Sequence, residues 1–431
     1  MHKCYGTMKL IFLSVLLTSF CQLSNSYRCE TPEDWVETAS HIRLPGSENS
    51  IPNADFANIR KGVKWPKGIV PYKFHASLTL QDIAEVRGAF EEYESKTCIK
   101  FKPWNEGDLD FVSIEVNQSV CGVAHVCKQG GYQFAQFGDP SERCRNKATM
   151  VHELGHTICL GHEQQRSDRD NYLSFPNCDK VPRKNPSGDY WASGIYDYSS
   201  QLHYDCNWCG GGWPKAEEVT KCGFEAESGL SPLDVDKINE LYDCQGCHRH
   251  RWRPAKSLTR EEMGNMYNFG YKLKDGTPLY PCRAPLRWEV SPGRYDIVTK
   301  SCHIGGWERT FVITENVEVL TIPGGLNKGC SAYKLTDRAD VTRENGIVSS
   351  LSFRYTDARG YVTYGTLKNE SGVEDNALGK VWLWDKNQNF QNYAAELQHG
   401  TVTGFQENYK VLTCSFDQSC AIKKLMEGQT M

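Results

Sequence analysis

Apolar positions follow two different periods in the first half of the chain and mainly one in the second. The runs KGIVPYKF (67–74), CIKFKPW (98–104) and DFVSIEV (110–116) are short and rich in β-branched and aromatic residues, which predicts strands. LQDIAEVRGAFEEYESKT (80–97) instead spaces its apolar residues along one face of a helix. NKATMVHELGHTI (146–158) predicts a second helix, and LSPLDVDKINELYDC (230–244) a third, opened by Ser231 and Pro232. GGYQFAQFGDPSERC (130–144) reads as a loop whose aromatics either rim a groove or fill the core. From about Leu258 the helical period fades. YDIVTK, RTFVIT, VEVLTI, YVTYGTL, KVWLWDK and YKVLTC are strand-like and separated by glycine and asparagine. PGRYDIVTK…VEVLT is echoed by LGKVWLWDK…YKVLT, which suggests an internal repeat. The expected fold class is therefore an α+β domain followed by a smaller all-β domain.

The N-terminus carries a different signal. After Met8, Lys9 precedes the apolar run LIFLSVLL, and small and polar residues follow to about Ser26, the order of a secretory signal. A membrane anchor needs about twenty apolar residues, and neither this run nor any later one reaches that length. A secreted product with no membrane span is expected. The 19 cysteines in 431 residues agree with an oxidising compartment. Removing Cys4 and Cys21 with the signal leaves an odd number, so at least one thiol is free or intermolecular.

The remaining boundaries follow from composition. Residues 1–26 read as the signal, and residues 27–60 as a short stretch rich in polar and acidic residues. Residues 61–244 form the α+β domain. Residues 245–257, with HRHRWRPAK, read as a solvated basic linker, and 258–431 as a β-rich accessory domain. A net charge of −4 gives no reason to expect a nucleic-acid partner. Asn117 in NQS and Asn369 in NES are candidate glycosylation sites.

The chemistry is concentrated in HELGHTICLGHEQQR (152–166). His152 and His156 are four apart, so one helical turn puts both imidazoles on one face, where two nitrogens can share a zinc ion. Glu153 lies beside the first ligand, placed to act on the water at the metal's open position. His162 falls six residues after His156, so the chain must turn back to deliver a third ligand.

HELGHTICLGHEQQRSDRDNY resembles the signature of the astacin metalloproteases, a metzincin family. YDYSSQLHY (196–204) resembles that family's Met-turn segment, and WPKGIVPY (65–72) the strand near its mature N-terminus. The resemblance implies a two-lobed metzincin-like fold and a zinc endopeptidase acting on protein or peptide substrates. It implies Zn2+ held by His152, His156 and His162, Glu153 as general base, and Tyr204 stabilising the tetrahedral intermediate. It also implies that 27–60 is a propeptide, in which Cys29, Asp34 or Asp55 could block the zinc, that Glu163 pairs with a newly formed N-terminus near Phe56, and that disulfides join Cys98 to Cys244 and Cys121 to Cys144. Cys127, Cys159, Cys178, Cys206, Cys209 and Cys222 are extra to that pattern, with open connectivity.

Two positions depart from the family. Cys159 stands where glycine is expected at the helix-to-loop turn. If that backbone is left-handed, a side chain there costs about 1–2 kcal/mol; alternatively Gly161 takes over the turn. Leu202 replaces the Met-turn methionine. These departures support a second reading, a pseudoprotease that works through its β domain. That domain resembles, loosely, DM9-type repeats, some of which bind carbohydrate; glycan or matrix binding is one role open to it, behind that of a β domain which targets or shields the enzyme.

Overall fold

In the computed structural model the described residues are 63–417, apart from 139–143, 177, 179–180, 186–193, 207–210, 221, 224–228, 307–308 and 356. The expected signal (1–26) and propeptide (27–60), with Cys29, Asp34 and Asp55, lie outside them.

The first half is organised by a sheet of five strands, β1 (Ile69–Phe74), β2 (Lys100–Pro103), β3 (Phe111–Val116), β4 (Gly122–Ala124) and β5 (Tyr132–Phe137), in the order β2-β1-β3-β5-β4. Only β4 runs antiparallel to its neighbour. Parallel strands need a crossover, and α1 (Leu80–Lys96) supplies the one between β1 and β2. Thr79 and Asp82 cap each other's backbone at its start. Its apolar face of Ile83, Val86, Phe90 and Tyr93 joins the core over the sheet. The stretch 130–144, expected as a loop, instead contains β5. Its alternation is that of a strand, with Gln133, Ala135 and Phe137 buried and Tyr132 exposed.

Helix α2 (Lys147–Thr157) opens on Asn146, whose side chain accepts the Thr149 amide, and it is buried from Ala148 to its end. The Tyr93 hydroxyl donates to the Val151 carbonyl at 2.6 Å and fixes α2 against α1. Two short strands, β6 (Leu173–Ser174) and β7 (Trp213–Pro214), pair beyond it. α3 (Pro232–Leu241) starts in the Ser231–Asp234 capping box with proline in its first turn. Disulfides join Cys98 to Cys244 and Cys121 to Cys144, the pairs the resemblance implies, and also Cys127 to Cys159 and Cys206 to Cys222.

The second half is β-rich and built twice. One sheet contains β8 (Arg251–Pro254), β9 (Tyr280–Leu286), β10 (Glu289–Asp296), β11 (Ser301–Gly306), β12 (Arg309–Ile313) and β13 (Glu318–Thr321), ordered β12-β11-β10-β9-β13-β8. In it β9 to β12 form a meander, β13 returns beside β9, and β8 pairs outside β13. The second sheet repeats this order. Its meander runs through Arg359–Lys368, Glu374–Leu383, Ala395–His399 and Val402–Gln406. Tyr409–Phe416 returns beside the first of these strands, and Ser331–Asp337 pairs outside it. The echoed sequences occupy corresponding strands: PGRYDIVTK and LGKVWLWDK run through the second strand of each meander, VEVLT and YKVLT through the returning one.

The basic stretch 245–257 is not a solvated linker. Arg251–Pro254 is β8, and Arg249 and Arg251 are both buried. Backbone carbonyls make that burial tolerable. Arg249 donates to Gly325 and Leu326 and stacks over Tyr333, while Arg251 donates to His248 and Cys244. The two halves also share a core, in which Tyr196, Tyr198 and Leu233 pack with Val290, Leu351 and Phe353. Beside it the buried Arg283 bridges Asp236 of α3 and Glu318 of β13, each at 2.7 Å. No helix among the described residues is long and apolar enough to cross a membrane.

Candidate metal and catalytic site

Helix α2 carries His152 and His156 one turn apart, and the chain reverses after it to bring His162 alongside. The three Nε2 atoms form a triangle with sides of 3.1, 3.2 and 3.2 Å. Each opposite nitrogen is held: Nδ1 of His152 by the Gln201 carbonyl (2.7 Å), of His156 by the Leu160 carbonyl (2.8 Å), and of His162 by Gln165 Oε1 (2.9 Å). These oxygens accept, so the Nδ1 atoms carry the protons and the Nε2 lone pairs face one another. Such an arrangement is repulsive until a cation occupies its centre. A tetrahedral zinc with bonds of about 2.0–2.1 Å would hold nitrogens about 3.3–3.4 Å apart, so the triangle fits zinc with a small expansion.

Electrostatics favour the same species. Burial, with His156 beside it, pushes His152 down to about 3, and burial pushes His156 down to about 4. Burial and the two neighbouring imidazoles hold His162 well below its ordinary value. Neutral imidazole is the form that ligates a metal.

Glu153 is buried beside His152, and its Oε2 has no hydrogen-bond partner among the described residues. Burial pushes its carboxyl up. Its room comes from Gly122 on β4, where a Cβ would come within 2.8 Å of the carboxyl carbon. The Tyr204 ring lies 4.4 Å from that of His162 and 6.1 Å from that of His152. Burial, aided by Glu153, pushes its hydroxyl up to about 12, so the phenol stays protonated. The Tyr204 amide donates to Gln164 Oε1 at 3.1 Å.

Glu163 is enclosed by donors: Arg166 at 2.9 Å, the Asp197 amide at 3.0 Å and Lys237 at 2.7 Å. Burial raises its carboxyl, but Lys237 and Arg166 outweigh burial and hold it at about 2. The cleaved N-terminus expected as its partner falls outside the described residues.

Both departures from the family pattern lie against this site. Cys159, rather than Gly161, holds the left-handed backbone, at φ 82°. Leu202 is buried under α2, where a Cβ on Gly155 would meet its Cδ2 at 2.9 Å. Sequence reasoning did not find Gly122, Gln165, Asp234 or the carbonyls of Leu160 and Gln201. Gln165, three residues after His162, and Leu160, four after His156, lie within the motif itself, whereas Gly122, Gln201 and Asp234 reach the site through tertiary packing.

Residues 57–243 match the sequence model of the Astacin peptidase family. Zinc metalloproteinase nas-14 of Caenorhabditis elegans is 31% identical over 196 residues, which cover 42% of this chain and 37% of that protein. The embryonic protein UVS.2 of Xenopus laevis is 34% identical over 197 residues, 42% of this chain and 37% of that one. Meprin A subunit beta of Homo sapiens is 31% identical over 206 residues, 44% of this chain and 28% of that one. The chain thus spans well under two thirds of the length of the relatives it matches. Among solved structures, high choriolytic enzyme 1, a hatching enzyme zinc-protease of the medaka Oryzias latipes, is similar at 26% identity and a TM-score of 0.37. That likeness covers 43% of this chain and 94% of that one.

Proposed function

Because residues 57–243 belong to the astacin family of peptidases, we propose that this chain is a secreted zinc-dependent endopeptidase that hydrolyses extracellular proteins. The observation that carries this reading is the triangle of Nε2 lone pairs, each aimed by a hydrogen bond on the other side of its ring. His152, His156 and His162 hold the metal. When bound, zinc supplies Lewis acidity towards water and the scissile carbonyl.

The chain's own groups do the rest. Glu153 removes a proton from the attacking water at its carboxylate and returns it to the leaving amine. The Tyr204 hydroxyl donates to the oxygen on which negative charge develops. Gly122 and the β4 backbone leave the Glu153 carboxylate unobstructed, and Gln164 fixes the backbone from which Tyr204 extends. The β-rich half anchors the enzyme to glycan or matrix, a role supported by the exposed, neighbouring rings of Tyr355 and Trp384.

Cleavage of denatured casein by the purified full chain tests the proposal. Activity should disappear with a zinc chelator and return on adding zinc. Cleavage that continues at full rate in excess chelator would refute the metal's role.

A further inference from the structure

Helix α2 ends in a Schellman motif. The Leu160 amide donates to the Gly155 carbonyl at 2.9 Å, and the Cys159 amide to that of His156 at 2.8 Å. The residue between these bonds must take a left-handed backbone, which glycine adopts freely and a residue with a Cβ resists. Here that residue is Cys159, and its sulfur is bonded to Cys127 in the β4–β5 loop. Cys127 is itself left-handed, at φ 61°, and its amide donates to the same His156 carbonyl at 2.9 Å. Loop and helix end are therefore joined twice, once covalently and once by a hydrogen bond.

The metal site lies immediately beyond Cys159 in the chain. Leu160 gives its carbonyl to His156 Nδ1, and two residues later the chain delivers His162. A turn that relaxed to an ordinary backbone conformation would redirect the Leu160 carbonyl and the approach of His162 together.

We infer that the Cys127–Cys159 disulfide takes over the task of a turn glycine: it holds Cys159 left-handed and thereby positions His156 and His162 for zinc. Both cysteines are positioning residues. The inference rests on the zinc-peptidase reading of this site and adds to it the device that sets ligand geometry.

Zinc affinity of the full-length protein, measured by chelator competition, tests it in three forms. Cys127→Ala/Cys159→Ala should bind zinc about tenfold or more weakly than the parent, the scale on which groups orienting a ligand act. Cys127→Ala/Cys159→Gly, which lacks the bond but restores a residue at ease in the left-handed turn, should return to within about threefold of the parent. Equal affinity in the double-alanine form overturns the inference. So does a glycine form as weak as the double-alanine form, because the bond would then act as a general staple. Should the double-alanine form fail to fold, as read by circular dichroism of metal-free protein, the glycine form decides alone. A parent that binds no zinc overturns the zinc reading and this inference with it, whereas a zinc-binding parent with unaffected variants overturns the inference only.

Discussion

Two turns aim the first two histidines, and they are held by different means. The turn at 158–160 gives the Leu160 carbonyl to His156, and the turn at 200–203 gives the Gln201 carbonyl to His152. The first is tied by the Cys127–Cys159 bond. The second hangs on a buried carboxylate: Asp234 accepts from the Ser200 hydroxyl and from the Gln201 amide, each at 2.7 Å, and Leu202 packs beneath α2. One task, orienting an imidazole through its Nδ1, is thus done by covalent constraint on one side and by hydrogen bonding on the other. Cys159 and Leu202, the two positions that depart from the astacin pattern, sit at these two turns.

Breaking the hydrogen-bonded turn should have the largest effect. Asp234→Ala strands the Ser200 hydroxyl and the Gln201 and Ser231 amides, and it removes a helix cap. Bonds to a buried carboxylate contribute about 1.5–3 kcal/mol each, so urea unfolding should show a loss of about 3–5 kcal/mol. A loss below about 1 kcal/mol would mean that the second turn is held by something else.

Gly122→Ala probes a point outside both turns. It displaces Glu153 and leaves the ligand-orienting carbonyls alone. Cleavage should fall about 10²-fold, the scale of an ångström's misplacement, with zinc affinity unchanged. Loss of zinc in this variant would show that the base and the ligands are not independently placed.

Leu202→Met should change stability by less than about 1.5 kcal/mol, since the swap conserves volume in a packed site. A larger change would single out the side chain itself, rather than its bulk, as the support beneath α2.

The smallest effect is a pH dependence confined to the hydrogen-bonded side. Burial and the neighbouring Asp234 push the Asp197 carboxyl up. A carboxyl raised in the folded state binds its proton more tightly than in the unfolded chain. Its stabilising contribution is therefore complete at low pH and is lost as the pH rises through the folded value. Asp197→Asn should gain thermal stability relative to the parent as the pH rises from about 4 to about 7. A difference that does not change with pH would place the buried proton elsewhere.

How much of this was legible in the chain depends on how local each cause is. The spacing of His152, Glu153, His156 and His162 is written within one helix and one turn, so it could be read directly. α1 announced itself through the spacing of its apolar face, and α3 through Ser231 and Pro232, a start signal that acts within a single turn. The orienting partners were hidden because Gln201 and Asp234 reach the site across long stretches of chain. HRHRWRPAK misled for a related reason. Arginine is ordinarily exposed, and only the carbonyls of Gly325, Leu326 and Cys244, supplied by distant segments, make Arg249 and Arg251 buried parts of the fold. The β-rich half was legible in type, while its duplicated strand order depends on long-range pairing that periodicity does not encode.

The zinc-peptidase reading stands or falls on Glu153 acting as the base while the three histidines hold the metal independently of it. Glu153→Gln in the full chain isolates this point, with zinc content and casein cleavage read on the same sample. The expected result is zinc retained at the parental stoichiometry with cleavage lost by several orders of magnitude. A variant that keeps its zinc and still cleaves at a rate near the parent's would contradict the reading.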